Sequence, residues 1–399
     1  MPYPKIPIIM YHSVGITHPS WIWSFLTVPV EIFIDHIDTL HRRGYRALTL
    51  YELYEYVLSG RAVPERSVVL TLDDGYLDNW VYAFPVLKKY GFKATIFASP
   101  EFVDPLPHCR PTLEDVWNGR VERQHLTSFG FLSWEEMRSM QQSGLIDIQS
   151  HCMTHTWHFS SCDIVDFRHP RDQYIWMDWN EDTGNKHRYL NVDYTPPPMH
   201  GAPVYHYCKA LEGKRFIPPG QLKDFLQEYV QRAGGLEFFN QPHWKSILYQ
   251  EAKAFTRRYR LDQRLETDDE FEARLNYEIL HSKTIIERML DKPVDFLCWP
   301  GGGICDRAMN FASQVYKSVT LPSRLRIQKY NMHGESPSFF KRIGAPHLNT
   351  TPISYLEGDY LHHLLREFQG SVLHRRLRQF HKGFNLAKLF FFRNSGRPS

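Results

Sequence analysis

Val68-Val69-Leu70-Thr71-Leu72-Asp73-Asp74-Gly75 decides the fold. Val68 to Leu72 is a compact β-branched run with no polar face, which fits a strand buried on both sides in a parallel sheet. It stops on two adjacent carboxylates and a glycine. Like charges repel and burial penalises both, so the pair is costly as structure. In α/β barrels the C-terminal edge of a strand is where catalysis sits. A bound cation and a nearby proton would relieve the cost, although Asp-Asp-Gly also makes ordinary turns.

Outward from this strand the first 155 residues alternate. Ile6 to Tyr11, Tyr45 to Leu50, Lys93 to Ala98 and Ile146 to Gln149 read as strands. Between them lie helical patterns. One runs from Val30 to a stop at Gly44, with Ile34, Ile37 and Leu40 on one face. Others start at Tyr51, run from Trp80 to Gly91, and run from the Ser133–Glu136 capping box to Gly144. Strand–helix alternation predicts a parallel α/β sheet or barrel. The rhythm breaks after His155. Residues 156–266 are aromatic and loop-rich, with helical patterns only at Gln221–Ala233 and Trp244–Tyr259. A capping box at Thr267 and Glu270 then opens a long helix through Leu275, Ile279, Ile286 and Leu290, and Phe296 to Trp299 reads as a strand again. Four parts follow: 1–155 as the first part of the barrel, 156–266 as an insertion, 267–346 as its second part, and 347–399 as a C-terminal extension.

The 399 residues carry a formal charge of +3. The last forty, from Tyr360, hold eight basic residues against one glutamate, a net +7, which leaves −4 for the rest. A near-balanced body argues against a nucleic-acid binder, and no recognition motif accompanies the basic tail. That tail has an apolar stripe (Leu364, Leu365, Phe368, Val372, Leu373) and an aromatic cluster at Phe390 to Phe392. It fits peripheral contact with an anionic membrane face or packing on the barrel equally well; Gly370 and Gly383 are expected to interrupt its helix. The six cysteines form no C-x-x-C and no disulfide framework. With no signal-peptide pattern at the N-terminus and no apolar run long enough to span a bilayer, the expectation is a cytoplasmic protein, at most at the inner face of the membrane.

Ser150-His151-Cys152-Met153-Thr154-His155 follows another strand. Histidines at i and i+4 share one face of a helical turn and can reach one metal. Two histidines from one strand end and an aspartate from another give the three ligands of an open catalytic site, and the second aspartate is free to act as a base.

With these motifs the chain resembles the polysaccharide deacetylases, the NodB-homology carbohydrate esterases. Thr71–Gly75 is similar to their T-F-D-D-G motif, Ser150–His155 to S-H-[ST]-x-x-H with Cys152 in the hydroxyl place, and Asp295–Gly303 to the F-x-Y-P-Y-G segment. Ile8–Val14 (Ile-Met-Tyr-His-Ser-Val from Ile9) resembles the opening of the subgroup acting on poly-N-acetylglucosamine. The resemblance covers residues 1–155 and about 270–346. It implies a distorted (β/α) barrel of the NodB type, with the insertion as a lid. It implies Asp73 as catalytic base, His12 as general acid, and Asp74, His151 and His155 as ligands of a divalent metal, Zn foremost, with Co, Ni or Fe also fitting. Gly301 stands where the family often has Tyr, whose backbone N–H serves the oxyanion, and Trp299 belongs to the same substrate-facing segment. The family's arginine beside the base is not evident, with Arg168, Arg171 and Arg342 as candidates. His158 is a spare ligand ranked below His155. Trp157, Trp176, Trp179, Tyr205, Tyr207 and Trp244 suit sugar stacking or a small satellite core. The implied activity is hydrolysis of an N-acyl group from an amino sugar, in a polysaccharide or a lipid-linked precursor. A deformylase or amidase on the same fold, and an inert glycan-binding protein, are the alternatives.

Overall fold

The computed structural model describes residues 3–19, 21–191, 193–321, 329–346 and 356–395, with side chains to Gly383. The boundary placed at 346/347, the cluster at Phe390–Phe392, and Lys388, Arg393 and Arg397 of the basic tail lie outside the described residues or side chains.

The Ser67–Leu72 strand is buried along its whole length and lies inside a nine-stranded sheet. The order across the sheet is Phe339–Phe340, Ser318–Thr320, Phe296–Leu297, Ile146–Ser150, Ala94–Ala98, Ser67–Leu72, Ile8–Tyr11 and Ile343–Gly344, with Arg46–Leu48 also paired to Ser67–Leu72. Every pairing in it is parallel. The two end strands are separated in sequence only by Lys341 and Arg342, so the sheet must curl until its edges meet at that link. Alternate residues feed two cores, as the period of a strand requires. Val68, Leu70 and Leu72 join the large cluster under the outer helices. Val69 joins Ile8, Phe97, Phe296 and Phe340 from four other strands, and this inner group is completed by Leu50, Leu53, Tyr56 and Val57 of the Leu50–Ser59 helix. The distorted barrel expected from the motifs is thus the observed fold.

The sequence signals for helices hold where local chemistry sets them. Capping boxes form at Ser133/Glu136 and Thr267/Glu270. Gly91, at φ 68°, ends the Phe84–Tyr90 helix in the left-handed conformation that glycine adopts without strain. The long helix after Thr267 is not uniform: Asp268–Leu275 and Ser282–Leu290 are joined by a π-turn at Asn276–His281. The insertion also differs from expectation. Besides the helices Gly220–Arg232 and Trp244–Arg258 it contains an antiparallel hairpin, Trp157–Phe167 against Pro203–Lys209. Its register shifts twice and its first strand has no period-2 burial, which is why no strand signal showed. The two insertion helices close on Phe167 in a satellite core of their own.

The C-terminal segment divides at Gly370. Helix Glu357–Phe368 buries Leu361 and Leu365 against the barrel, on helix Val30–Arg42. Helix Val372–Ser395 instead leaves Val372, Leu373 and Phe380 exposed and runs through Gly383, which does not interrupt it. No helix among the described residues is long and apolar enough to cross a membrane. The contact between Glu357–Phe368 and Val30–Arg42 depends on Gly358, where an added Cβ would overlap the Thr39 side chain and the Asp35 carbonyl. Gly358→Ala is therefore expected to cost about 1–3 kcal/mol by overpacking, read as a lower urea midpoint at unchanged slope; an unchanged midpoint would remove this contact from the account.

Candidate active site

Asp73 and Asp74 follow the Ser67–Leu72 strand and meet different partners, and Asp74 takes a positive φ of 75°. Among the described residues only four non-glycine positions do so, and three of them are Asp74, Cys152 (φ 60°) and His155 (φ 44°). Such backbone costs of order 1–3 kcal/mol each and persists only where the surroundings hold it. The His151–His155 segment is therefore not the helical turn that its spacing suggested. It is a left-handed loop, and its shape is held from outside. Glu278, buried in the π-turn, accepts the N–H groups of Met153 and Thr154, both at 3.1 Å, and the Thr154 hydroxyl. Lys186 of the insertion reaches Glu101 and donates to the Thr154 carbonyl at 3.2 Å. Ser282 meets Ser150 at 2.9 Å under the same loop.

The loop carries both imidazoles to Asp74. His151 Nε2 lies 3.0 Å and His155 Nε2 3.1 Å from Asp74 Oδ1. That oxygen is buried and makes no hydrogen bond of acceptable geometry with either. His151 Nδ1 is committed to the Cys298 carbonyl at 2.8 Å, which aims its Nε2 at the group. Two imidazole nitrogens and a carboxylate oxygen converging on one point, with the oxygen otherwise orphaned, fit a divalent cation. Burial would raise the Asp74 carboxyl, but the two imidazoles outweigh it and hold it well below the usual range. Burial lowers His155, with Asp74 opposing.

Asp73 has a different neighbour. Arg342, from the two-residue link that joins the sheet's edges, donates to Asp73 Oδ1 at 2.7 Å and Oδ2 at 2.8 Å, and to Cys298 Sγ at 2.9 Å. Of the three candidate arginines it is this one. Arg168 is spent inside the insertion on Asp172 and Asp178, at 2.8 and 2.9 Å. Burial would raise the Asp73 carboxyl, yet Arg342 and then His12 keep it below its ordinary value. His12 Nε2 lies 3.9 Å from Asp73 Oδ2. Its backbone carbonyl accepts from Asn79 Nδ2 at 2.9 Å, which also bonds Asp78. Burial pushes Asp78 up to about 7, against the hydrogen bond from Ser13.

Two cavities open on these groups and share His12 and Gly301. One, of 260 Å³, includes Asp73, Arg342 and Trp299. The other, of 240 Å³, includes Asp74, His155 and an aromatic wall of Trp23, Phe102, Trp157, Trp179 and Tyr189. Trp299 is itself 2% exposed and belongs to the core. Gly301 lies at φ 51°, and Lys209 of the insertion hydrogen-bonds its carbonyl. Among the insertion's aromatics, Trp157 and Trp179 reach the cavity, Trp176 and Tyr205 are buried away from it, and Trp244 joins the satellite core. His158 is no spare ligand: it is buried in the hairpin opposite Cys208. Lys209, Lys186 and Glu278 were invisible to motif reasoning, since each acts from an element far along the chain.

Residues 60–197 match the family model described as polysaccharide deacetylase. Over that segment the chain is similar to the polysaccharide deacetylase family. The match continues some forty residues into the insertion. The chain is 36% identical over 151 residues to YxkH of Bacillus subtilis (strain 168), a polysaccharide deacetylase by assignment, covering 38% of this chain and 43% of that protein. It is 27% identical over 135 residues to the poly-beta-1,6-N-acetyl-D-glucosamine N-deacetylase of Escherichia coli (strain K12), covering 33% and 18%. The chain thus spans less than half the length of these curated relatives. In solved structures it resembles a de-N-acetylase from Aggregatibacter actinomycetemcomitans, with a TM-score of 0.50 and 17% identity over 85% of this chain and 94% of that one. This is a likeness of fold.

Arg342→Met leaves the buried Asp73 charge uncompensated and is expected to cost about 3–5 kcal/mol of stability. With the guanidinium gone, burial dominates and the Asp73 carboxyl rises. Any activity that needs it ionised then loses its acid limb at higher pH than the wild type. Denaturant unfolding and a pH–rate profile read the two effects, and an unmoved acid limb would show that Arg342 does not set the state of Asp73.

Proposed function

We propose that the protein is a metal-dependent N-deacetylase acting on an amino-sugar residue of a polysaccharide. The observation that carries the reading is the division of two adjacent carboxylates between a guanidinium and a pair of imidazoles. The aromatic wall suits the flat face of a pyranose ring, and the family match and the named relatives support an acetylated amino sugar as substrate. Asp74 Oδ1, His151 Nε2 and His155 Nε2 would hold the cation. When bound it acts as a Lewis acid toward the acetyl carbonyl and lowers the pKa of a water molecule there.

The chain's own groups supply the rest. Asp73, ionised because Arg342 outweighs burial, takes the proton of the attacking water on Oδ2. His12, across from that oxygen, delivers a proton to the departing amine nitrogen. The backbone N–H of Gly301 donates to the developing oxyanion. The next two N–H groups are used within the turn, by Trp299 O at 3.1 Å and Pro300 O at 3.2 Å. Acetate and a free amino sugar leave. A lipid-linked precursor is the finer substrate proposal, supported by the exposed apolar and basic face of the C-terminal helix.

Incubation with β-1,6-linked N-acetylglucosamine oligomers is expected to release acetate, followed by mass spectrometry. Asp73→Asn should lower turnover by about 10²–10⁴-fold, the usual worth of a positioned acid–base group, without loss of bound metal. Chelation should abolish turnover and Zn²⁺ or Co²⁺ restore it. Full activity in Asp73→Asn, or after exhaustive chelation, would overturn the mechanism.

A further inference from the structure

We propose a second metal site, built from His362, His363 and His374 and joining the two C-terminal helices. His362 and His363 lie on helix Glu357–Phe368, and His374 lies on helix Val372–Ser395, across the turn at Gly370. One nitrogen of each falls within 4.8 Å of the others. The His374 ring centroid is 5.2 Å from each of the other two.

The remaining ring nitrogens are arranged as ligands require. His362 Nδ1 meets the Tyr45 hydroxyl at 3.2 Å, and His374 Nδ1 meets Ser371 Oγ at 2.8 Å. Each bond orients its ring and leaves Nε2 for an ion, the usual role of outer partners around a metal-bound histidine. A second, independent observation points to a missing partner. His363 is 9% exposed, and its Nδ1 is buried with no hydrogen bond. Two turns beyond His374 on helix Val372–Ser395, His381 stands with its centroid 5.1 Å from His363, and its Nδ1 is equally orphaned. Four imidazoles packed together, two with buried and unsatisfied nitrogens, are poor as plain core.

An all-imidazole set suits Zn²⁺, Co²⁺, Ni²⁺ or Cu²⁺ rather than Mg²⁺ or Ca²⁺. A tetrahedral ion with bonds of about 2.0 Å holds its nitrogens about 3.3 Å apart, so binding would draw the rings together from their present spacing. The guanidiniums of Arg43 and Arg366 oppose a cation there. Arg43 is paired with Asp359 at 2.8 Å, and Arg366 donates to Gln369 at 2.9 Å. Asp359, one turn before His363, brings compensating negative charge to the cluster. The fourth position falls to His381 or to water. An ion here would tie helix Val372–Ser395, where Val372, Leu373 and Phe380 are exposed, to the body.

The test uses the full chain, freed of metal by chelation and titrated with Zn²⁺, and with Co²⁺ as a visible-absorption probe. The wild type is expected to take up two equivalents. Asp74→Asn with His155→Ala should retain one, and that one should still raise the unfolding temperature. His374→Ala and, separately, His362→Gln should take up one equivalent fewer than wild type, lose the Zn²⁺ protection of the C-terminal helix against proteolysis, and keep deacetylation unchanged. Equal stoichiometry in wild type and His374→Ala would overturn the second site. So would loss of all binding in the Asp74/His155 variant. Neither result bears on the proposed deacetylase, whose ligands are elsewhere.

Discussion

The bidentate pair between Arg342 and Asp73 is the interaction on which the rest depends. Asp73 ends the central buried strand, and Arg342 sits in the two-residue link between strands at opposite ends of the sheet order. The contact is therefore available only when the sheet has curled fully. It also resolves the electrostatic cost of placing two carboxylates side by side. Asp73 is neutralised from inside the barrel by a group that cannot lose its proton. Asp74, whose backbone is left-handed, is left to the imidazoles. Closure of the fold and the chemical inequality of the two aspartates are one event.

That inequality needs rigid support, and the strain at Asp74, Cys152 and His155 shows where it is concentrated. Three residues in a sparsely allowed region would relax if the loop were free. Glu278 prevents this by accepting two backbone N–H groups and a hydroxyl from Met153 and Thr154. It can do so because the π-turn at Asn276–His281 interrupts the helix beneath. π-turns inside helices occur frequently at functional sites. Here the extra residue in the turn accompanies a carboxylate that braces a loop rather than one that meets a ligand.

These features explain what was legible in the sequence. The buried strand, the capping boxes at Ser133 and Thr267, and the residues His12, Asp73, Asp74, His151 and His155 are set by local pattern or by an ordered motif, and the structure brings those five together. The shape of the 151–155 loop was misread because i, i+4 spacing is shared by a helical turn and by a left-handed loop that folds back. Arg342 was one of three candidates because an ion pair closed across 269 residues leaves no local trace. The insertion's hairpin was missed for a similar reason, since Trp157–Phe167 alternates neither in hydrophobicity nor in burial. The 21 histidines were a poor guide when counted. Their meaning depends on which helices meet, as at His362, His363 and His374.

Gly301 and the insertion are best understood together. The family that the chain resembles often has a tyrosine at this position, used through its backbone N–H. The space a side chain would enter is occupied: a Cβ at Gly301 would overlap Lys209, and one at Gly303 would crowd the same residue. Lys209 ends the insertion's second hairpin strand and lies with its ammonium 5.8 Å from the Trp157 ring, at the cavity wall. At 301 the overlap is with the movable end of the Lys209 side chain, whereas at 303 it is with Lys209 Cβ, so glycine at 303 is the tighter requirement for this approach of the insertion, which brings bulk and polarity to the cavity wall. In the proposed mechanism, the cation it brings stands beside the turn whose N–H would face the developing negative charge, where a positive group would contribute in the same direction as the hydrogen bond.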